Sequence, residues 1–170
     1  MMKFFSENLD SLRELYINQL QMLVSTEEQI IDALPKMIEK ATDPQLKRAF
    51  DTHLQETRTH LSRVQQILKQ STGEAKSIKC KALAGLVTEA EDMIKDAADE
   101  SVRDAALISA AQRVEHYEMA VYGTVRYFAE ILREPTHINL LEQTLNEEKH
   151  ADQILTEIAE QVNPTAQKAA

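Results

Sequence analysis

The sequence predicts an all-α fold, an antiparallel four-helix bundle made of two helical hairpins joined by a long crossover that carries an extra short helix. Three observations carry this. The 170 residues hold only 3 Gly and 4 Pro, about a third of the roughly 12% that is average, which starves a β fold of turns. Apolar residues recur in steps of three and four over long uninterrupted segments. Turn signals fall at just a few places, so the segments between them are long.

The first helix is expected over about 6–41, with Leu9, Leu12, Tyr16, Leu20, Leu23, Glu27, Ile30, Leu34 and Met37 on one stripe. Pro35 falls inside it and should bend it, because it removes a donor and crowds the preceding turn. Thr42-Asp43-Pro44-Gln45 restarts the helix. Either Thr42 or Asp43 can cap, Pro44 suits the first turn, and Thr42 with Gln45 fits a capping box. The second helix should run to about 70, on a stripe of Leu46, Phe50, His53, Thr57, His60, Val64 and Ile67. A shorter helix over about 79–97 reads as part of the crossover. The third long helix should span about 102–132, with Leu107, Ala111, Val114, Glu118, Val121, Val125 and Phe128 on its stripe. After the Arg133-to-Thr136 turn, the last should run to about 162 with Leu141, Leu145, Glu148, Asp152, Leu155 and Ala159. Asn163-Pro164 should stop it, leaving 165–170 as a loose tail of one domain over 1–170. Two hairpins and one long connection give ferritin-like connectivity.

Composition removes several functions. Lys and Arg number 19 against 28 Asp and Glu, a net charge of −9, so a nucleic-acid partner is not expected. No apolar run approaches the roughly 20 residues of a membrane span, the start of the chain turns polar too early for a signal peptide, and Cys80 is the single cysteine. A cytoplasmic location follows as an expectation.

Each stripe is apolar except near its middle. There the residues are Glu27 in the first helix, His53 and His60 with Glu56 in the second, Glu118 with Glu115 in the third, and Glu148 and Asp152 in the fourth. In an antiparallel hairpin, residues equidistant from the turn lie side by side. Glu27 and Glu56 have their midpoint at 41.5, in the first turn, and Glu118 and Glu148 have theirs at 133, in the second. Several buried carboxylates cannot all stay ionised without counter-charge. Two metal ions bridged by carboxylates answer this, and iron or manganese suits oxygen donors with an imidazole. Dimetal bundles take single Glu donors from two helices and a Glu-x-x-His pair from each of the others. Here the single donors are Glu27 and Glu118, or Glu115 in its place, and the pairs are Glu56 with His60 and Glu148 with Asp152. Glu147-x-x-His150 has the usual spacing but projects outward from a stripe that holds Glu148. His53 is a candidate ligand or a partner behind the ligands, and Tyr122 is a candidate for the layer behind them.

The stretch from Ala110 through Arg113-Val114-Glu115-His116-Tyr117-Glu118 to Thr124 resembles the hallmark of the YciE/YciF family of bacterial ferritin-like stress proteins. His53-Leu54-Gln55-Glu56-Thr57, Leu145-Asn146-Glu147-Glu148-Lys149 with Asp152, and Val102-Arg103-Asp104-Ala105-Ala106-Leu107-Ile108 fit as well, and the likeness spans about 8–160. It implies a ferritin-like bundle, usually a homodimer, tied to bacterial stress, with a dimetal site at Glu27, Glu56, Glu115 or Glu118, Glu148 and Asp152. The position of His60 is not always His in such proteins. The expected activity is redox chemistry of two iron or manganese ions with peroxide or dioxygen. The alternative is a non-catalytic structural or interaction protein with a vestigial site.

Overall fold

The computed structural model describes residues 9–168. Among them lie five helices and no strand: α1 Leu12–Lys40, α2 Pro44–Thr72, α3 Lys81–Asp96, α4 Glu100–Ile131 and α5 Pro135–Ala166. The helix boundaries show where local chemistry outweighed periodicity. Ser11 caps α1 by accepting from Glu14 N–H, and the Glu14 carboxylate accepts from Ser11 Oγ and Asp10 N–H at 2.9 Å each. This closed box starts the helix at Leu12 and not near 6; residues 1–8 lie outside the described part. The helix then runs on past Pro35 without a break.

Asp43 is the cap of α2, accepting from Gln45 and Leu46 N–H, with Pro44 behind it. Thr42 makes no capping box. Its hydroxyl donates to Asp104 at 2.6 Å, and the N–H groups of Thr42 and Asp43 donate to the same carboxylate at 2.8 Å each. Asp104, buried on α4, therefore satisfies the turn between α1 and α2. Gly73 ends α2 at φ 87°, a conformation that suits glycine. Cys80, buried, caps α3, its Sγ accepting from Leu83 N–H. The expected loose tail is partly helical. Pro164 forfeits one backbone donor, yet Gln167 N–H still reaches Asn163 O at 3.1 Å and α5 extends to Ala166.

The four long helices form a closed ring in which α1 packs on α2, α2 on α5, α5 on α4 and α4 on α1. Thr42 meets Asp104 and Gln45 meets Gln161 at one end. Arg13 meets Glu134, Tyr16 meets His137 and His137 meets Gln70 at the other. Every adjacent pair is therefore antiparallel and the diagonal pairs are parallel. The crossover between α2 and α4 must run the length of the bundle, and α3 lies along it against α4 and α1. This is the ferritin-like arrangement that the turn spacing predicts.

The core is split. Ile30, Leu34, Phe50, Leu107, Leu155 and Ile158 belong to one apolar cluster, at the Asp104 end. Leu20, Leu23, Val64, Ile67, Val125 and Leu141 belong to another, at the His137 end. Between them the stripes place acids and histidines.

Candidate metal centre

Four glutamates and two histidines from all four long helices fill the layer between the apolar clusters. Glu27, Glu118, Glu148 and His60 have no exposed surface, Glu115 has 2% and His53 7%. Each sits within two turns of buried apolar residues of its own stripe, so the periodicity that buries those residues buries the acids too. His53 Nε2 lies 3.3 Å from Glu115 Oε1 and 4.0 Å from Glu148 Oε2. His60 Nδ1 lies 2.8 Å from Glu148 Oε1, yet the pair is out of line for a hydrogen bond. One atom from each of His53, Glu115, Glu118 and Glu148 falls within 4.8 Å of the others, and so does one from each of Glu27, His60 and Glu148. Glu148 is common to both groups.

Among the described residues, nine buried side-chain atoms lack a hydrogen-bond partner, and all nine belong to these six residues: Glu27 Oε2, Glu115 Oε2, both nitrogens of His53, His60 Nδ1, and both oxygens of Glu118 and of Glu148. Native interiors leave few such atoms, because each costs about 1–3 kcal/mol. Nine in one layer, with one atom from each residue of two groups within 4.8 Å of the others, could hold a metal ion. Charge fits as well. Four ionised glutamates carry −4, which two divalent cations cancel, and oxygen donors with one imidazole per group suit iron or manganese.

Without such cations the acids must compensate in another way. Burial pushes the Glu27 carboxyl up to about 8, with Glu148 adding to the shift and His60 and Tyr122 opposing it. Burial and the Glu148 charge hold Glu115 and Glu118 well above the usual carboxylate range. For Glu148 burial also pushes upward, but the hydrogen-bonding reach and charge of His60, with the charge of His53, hold it below that range. Burial lowers His60, but Glu148, Glu27 and Glu147 lift it to about 9. The metal-free centre is then an imidazolium beside one carboxylate, with neutral acids around it.

The residues behind this shell position it. Tyr122 Oη donates a short hydrogen bond to Glu27 Oε1. His60 Nε2 lies 2.8 Å from Glu147 Oε2, and the Arg63 guanidinium grips the same carboxylate with Nη1 and Nη2. Arg63 also donates to Thr144 Oγ1 at 3.1 Å. Arg63 keeps the Glu147 carboxyl low against the upward push of its partial burial. An ionised Glu147 can only accept, so His60 Nε2–H donates and Nδ1 is left facing the centre.

Seven residues were expected as ligands from sequence, and five of them meet here: Glu27, His60, Glu115, Glu118 and Glu148. Glu115 and Glu118 both arrive, three residues apart on one face of α4. Glu56 and Asp152 stay at the rim, and neither contributes to the two groups. The Glu56 side chain is 36% exposed, 3.8 Å from His53 Nδ1. Asp152 follows Glu148 by four residues, about 40° around the helix. That rotation takes it into the seam between α4 and α5, 3.3 Å from His116 Nε2 and accepting from Gln112. His53, a candidate for either place, falls in the group with Glu115, Glu118 and Glu148. Tyr122 is where the sequence reading put it. Glu147 was read as outward and Arg63 was missed; the signal was there, since Arg63 follows His60 by three residues on the face that meets α5.

Among the described residues, no helix is long and apolar enough to cross a membrane. The family model described as a domain of unknown function, DUF892, matches residues 11–169. Protein YciF of Escherichia coli strain K12 is 39% identical over 163 residues, 95% of this chain and 97% of its own length. The crystal structure of the E. coli stress protein YciF superposes with a TM-score of 0.87 at 38% identity, covering 92% of this chain and 99% of that one. YcfI of Rhodopseudomonas palustris gives the same score and identity over 90% of this chain and 98% of its own. The chain therefore belongs to the DUF892 family, whose model spans nearly its whole length.

Proposed function

We propose that the centre holds two divalent ions, iron or manganese, and reacts with a small oxidant such as peroxide or dioxygen. His53, Glu115, Glu118 and Glu148 would hold one ion; Glu27, His60 and Glu148 the other. The observation that carries this reading is the set of nine buried oxygens and nitrogens without a partner, all on six residues of one layer. A bound redox-active pair supplies electrons to an oxidant. The chain supplies the rest. Glu147 and Arg63 hold the His60 ring, and Tyr122 orients Glu27. The apolar clusters on either side lower the local dielectric and strengthen the electrostatics within. On this reading the protein works as a homodimer in the cytoplasm during stress.

A second reading is a metal-free structural protein, favoured by the His60 imidazolium that offsets Glu148; YcfI is described as a candidate structural protein. Metal analysis of protein purified without chelator separates the two. The dimetal reading expects about two equivalents of iron plus manganese and a stability gain on adding either to stripped protein. Substoichiometric metal with no gain would sink it.

A further inference from the structure

A cavity of about 900 Å³ opens at the Asp104 end of the bundle and reaches inward to the metal centre. Its walls include Ile30, Leu34, Phe50, Val114, Leu155 and Ile158, all apolar. Close-packed cores leave few voids larger than a water molecule, whereas binding sites for small molecules measure about 300–1,000 Å³. At the inner end stand His53 and Glu115. Both are more than nine-tenths buried, and each carries a nitrogen or oxygen without a partner. The cavity thus ends at the ligand shell.

The outer end has the opposite charge. Lys36, Lys40, Arg48, Lys95 and Arg103 line it, with Glu56, Glu91 and Glu157 the partly exposed acids of the lining; Lys40 also meets Glu39 at 3.5 Å and Arg103 meets Glu100 at 3.9 Å. Lys36 is paired with Glu91 at 3.1 Å. Arg48 and Lys95 make no ion pair among the described residues. In a chain of net charge −9, this local cationic excess is selective. From Gln45 at the mouth to His53 the helix climbs eight residues, about 12 Å.

We infer that this cavity binds an anionic amphiphile of the fatty-acid class, its carboxylate among the cations at the mouth and its hydrocarbon chain along the apolar walls toward His53 and Glu115. The orientation follows from solvation and charge: the mouth offers cations and water to a carboxylate, whereas the buried inner end would strip its hydration with no free cation to replace it. That the tail meets a reactive centre rests on the dimetal reading; the binding itself does not.

The test uses the full chain and displacement of a dansyl-labelled undecanoate by laurate and, as the uncharged match, by dodecanol. Laurate is expected to displace the probe with a midpoint of about 10 μM, and dodecanol at least about tenfold more weakly. The surface double variant Arg48→Glu with Lys95→Glu should weaken laurate about tenfold and leave dodecanol unchanged. Filling the cavity with Ala111→Leu and Ala151→Leu should weaken both ligands; should that variant not fold, the surface variant decides alone. No displacement by laurate, equal displacement by the two ligands, or an affinity for laurate that survives charge reversal would each overturn the inference. The series is run on chelator-stripped and on manganese-loaded protein. Laurate binding with no metal uptake would remove the dimetal reading alone, and metal uptake with no laurate binding would remove this inference alone.

Discussion

Replacing Glu27 by Gln separates the cost of the acid from its use. Glu27 is fully buried, Oε1 accepts from Tyr122 and Oε2 has no partner. Gln keeps the shape and the Oε1 acceptor but cannot ionise. Burial raises the folded-state carboxyl from 4.5 to about 8. A group whose folded pKa is raised contributes stability that is complete below its unfolded pKa and is lost as pH rises through the folded one. For the metal-free protein the loss begins near pH 4.5 and ends near pH 8. Each pH unit in that window corresponds to about 1.4 kcal/mol, so the loss at pH 7 is about 3 kcal/mol. Stripped Glu27→Gln protein lacks this loss. Its stability relative to wild type should rise by about 3 kcal/mol between pH 4 and pH 7. Added manganese should reverse the order, because wild type gains about 4.1 kcal/mol at one thousand times Kd while the variant gains little. Urea unfolding followed by circular dichroism, at pH 4 to 8 with and without manganese, measures both effects. A stability difference that stays flat with pH, or a variant that gains as much from manganese as wild type, would refute the reasoning.

Four further substitutions probe the shell and the layers around it. Asp104→Ala leaves the N–H groups of Thr42 and Asp43 without their acceptor, and urea unfolding should show a loss of about 3 kcal/mol with manganese affinity preserved. Glu147→Gln loosens the His60 ring and frees Arg63; manganese titration should show affinity about 10–100-fold weaker. Asp152→Ala should change manganese affinity by less than about threefold, while Glu148→Ala should abolish tight binding, because Glu148 alone joins both ligand groups.

Axial position was legible in the sequence and angular position was not. Helical period and turn chemistry set the height of every stripe residue, and equal distance from a turn aligns neighbours. Glu118 and Glu148 therefore arrive side by side, as their midpoint requires, and it is the docking of the two hairpins that brings Glu27 level with them. The direction a side chain faces depends on how the helices rotate and which neighbour they meet. Rotations of about 40–100° turn Asp152 into the α4–α5 seam and bring Glu147 within reach of His60. The same uncertainty ranked Glu56 above His53, although the imidazole faces the layer and the carboxylate stays at its rim. Two other features could not be read from local pattern. The Asp104 carboxylate reaches a turn 62 residues away in sequence, and Pro164, a stop signal in isolation, sits in a final turn that tolerates one missing donor.

Anomalous diffraction from crystals grown with manganese addresses the central claim most directly. Two anomalous peaks are expected, one among His53, Glu115, Glu118 and Glu148 and one among Glu27, His60 and Glu148, about 3.5–4 Å apart with Glu148 between them. Manganese in the crystal but no peak inside the bundle, with ordered waters bonded to the glutamates of that layer, would contradict it.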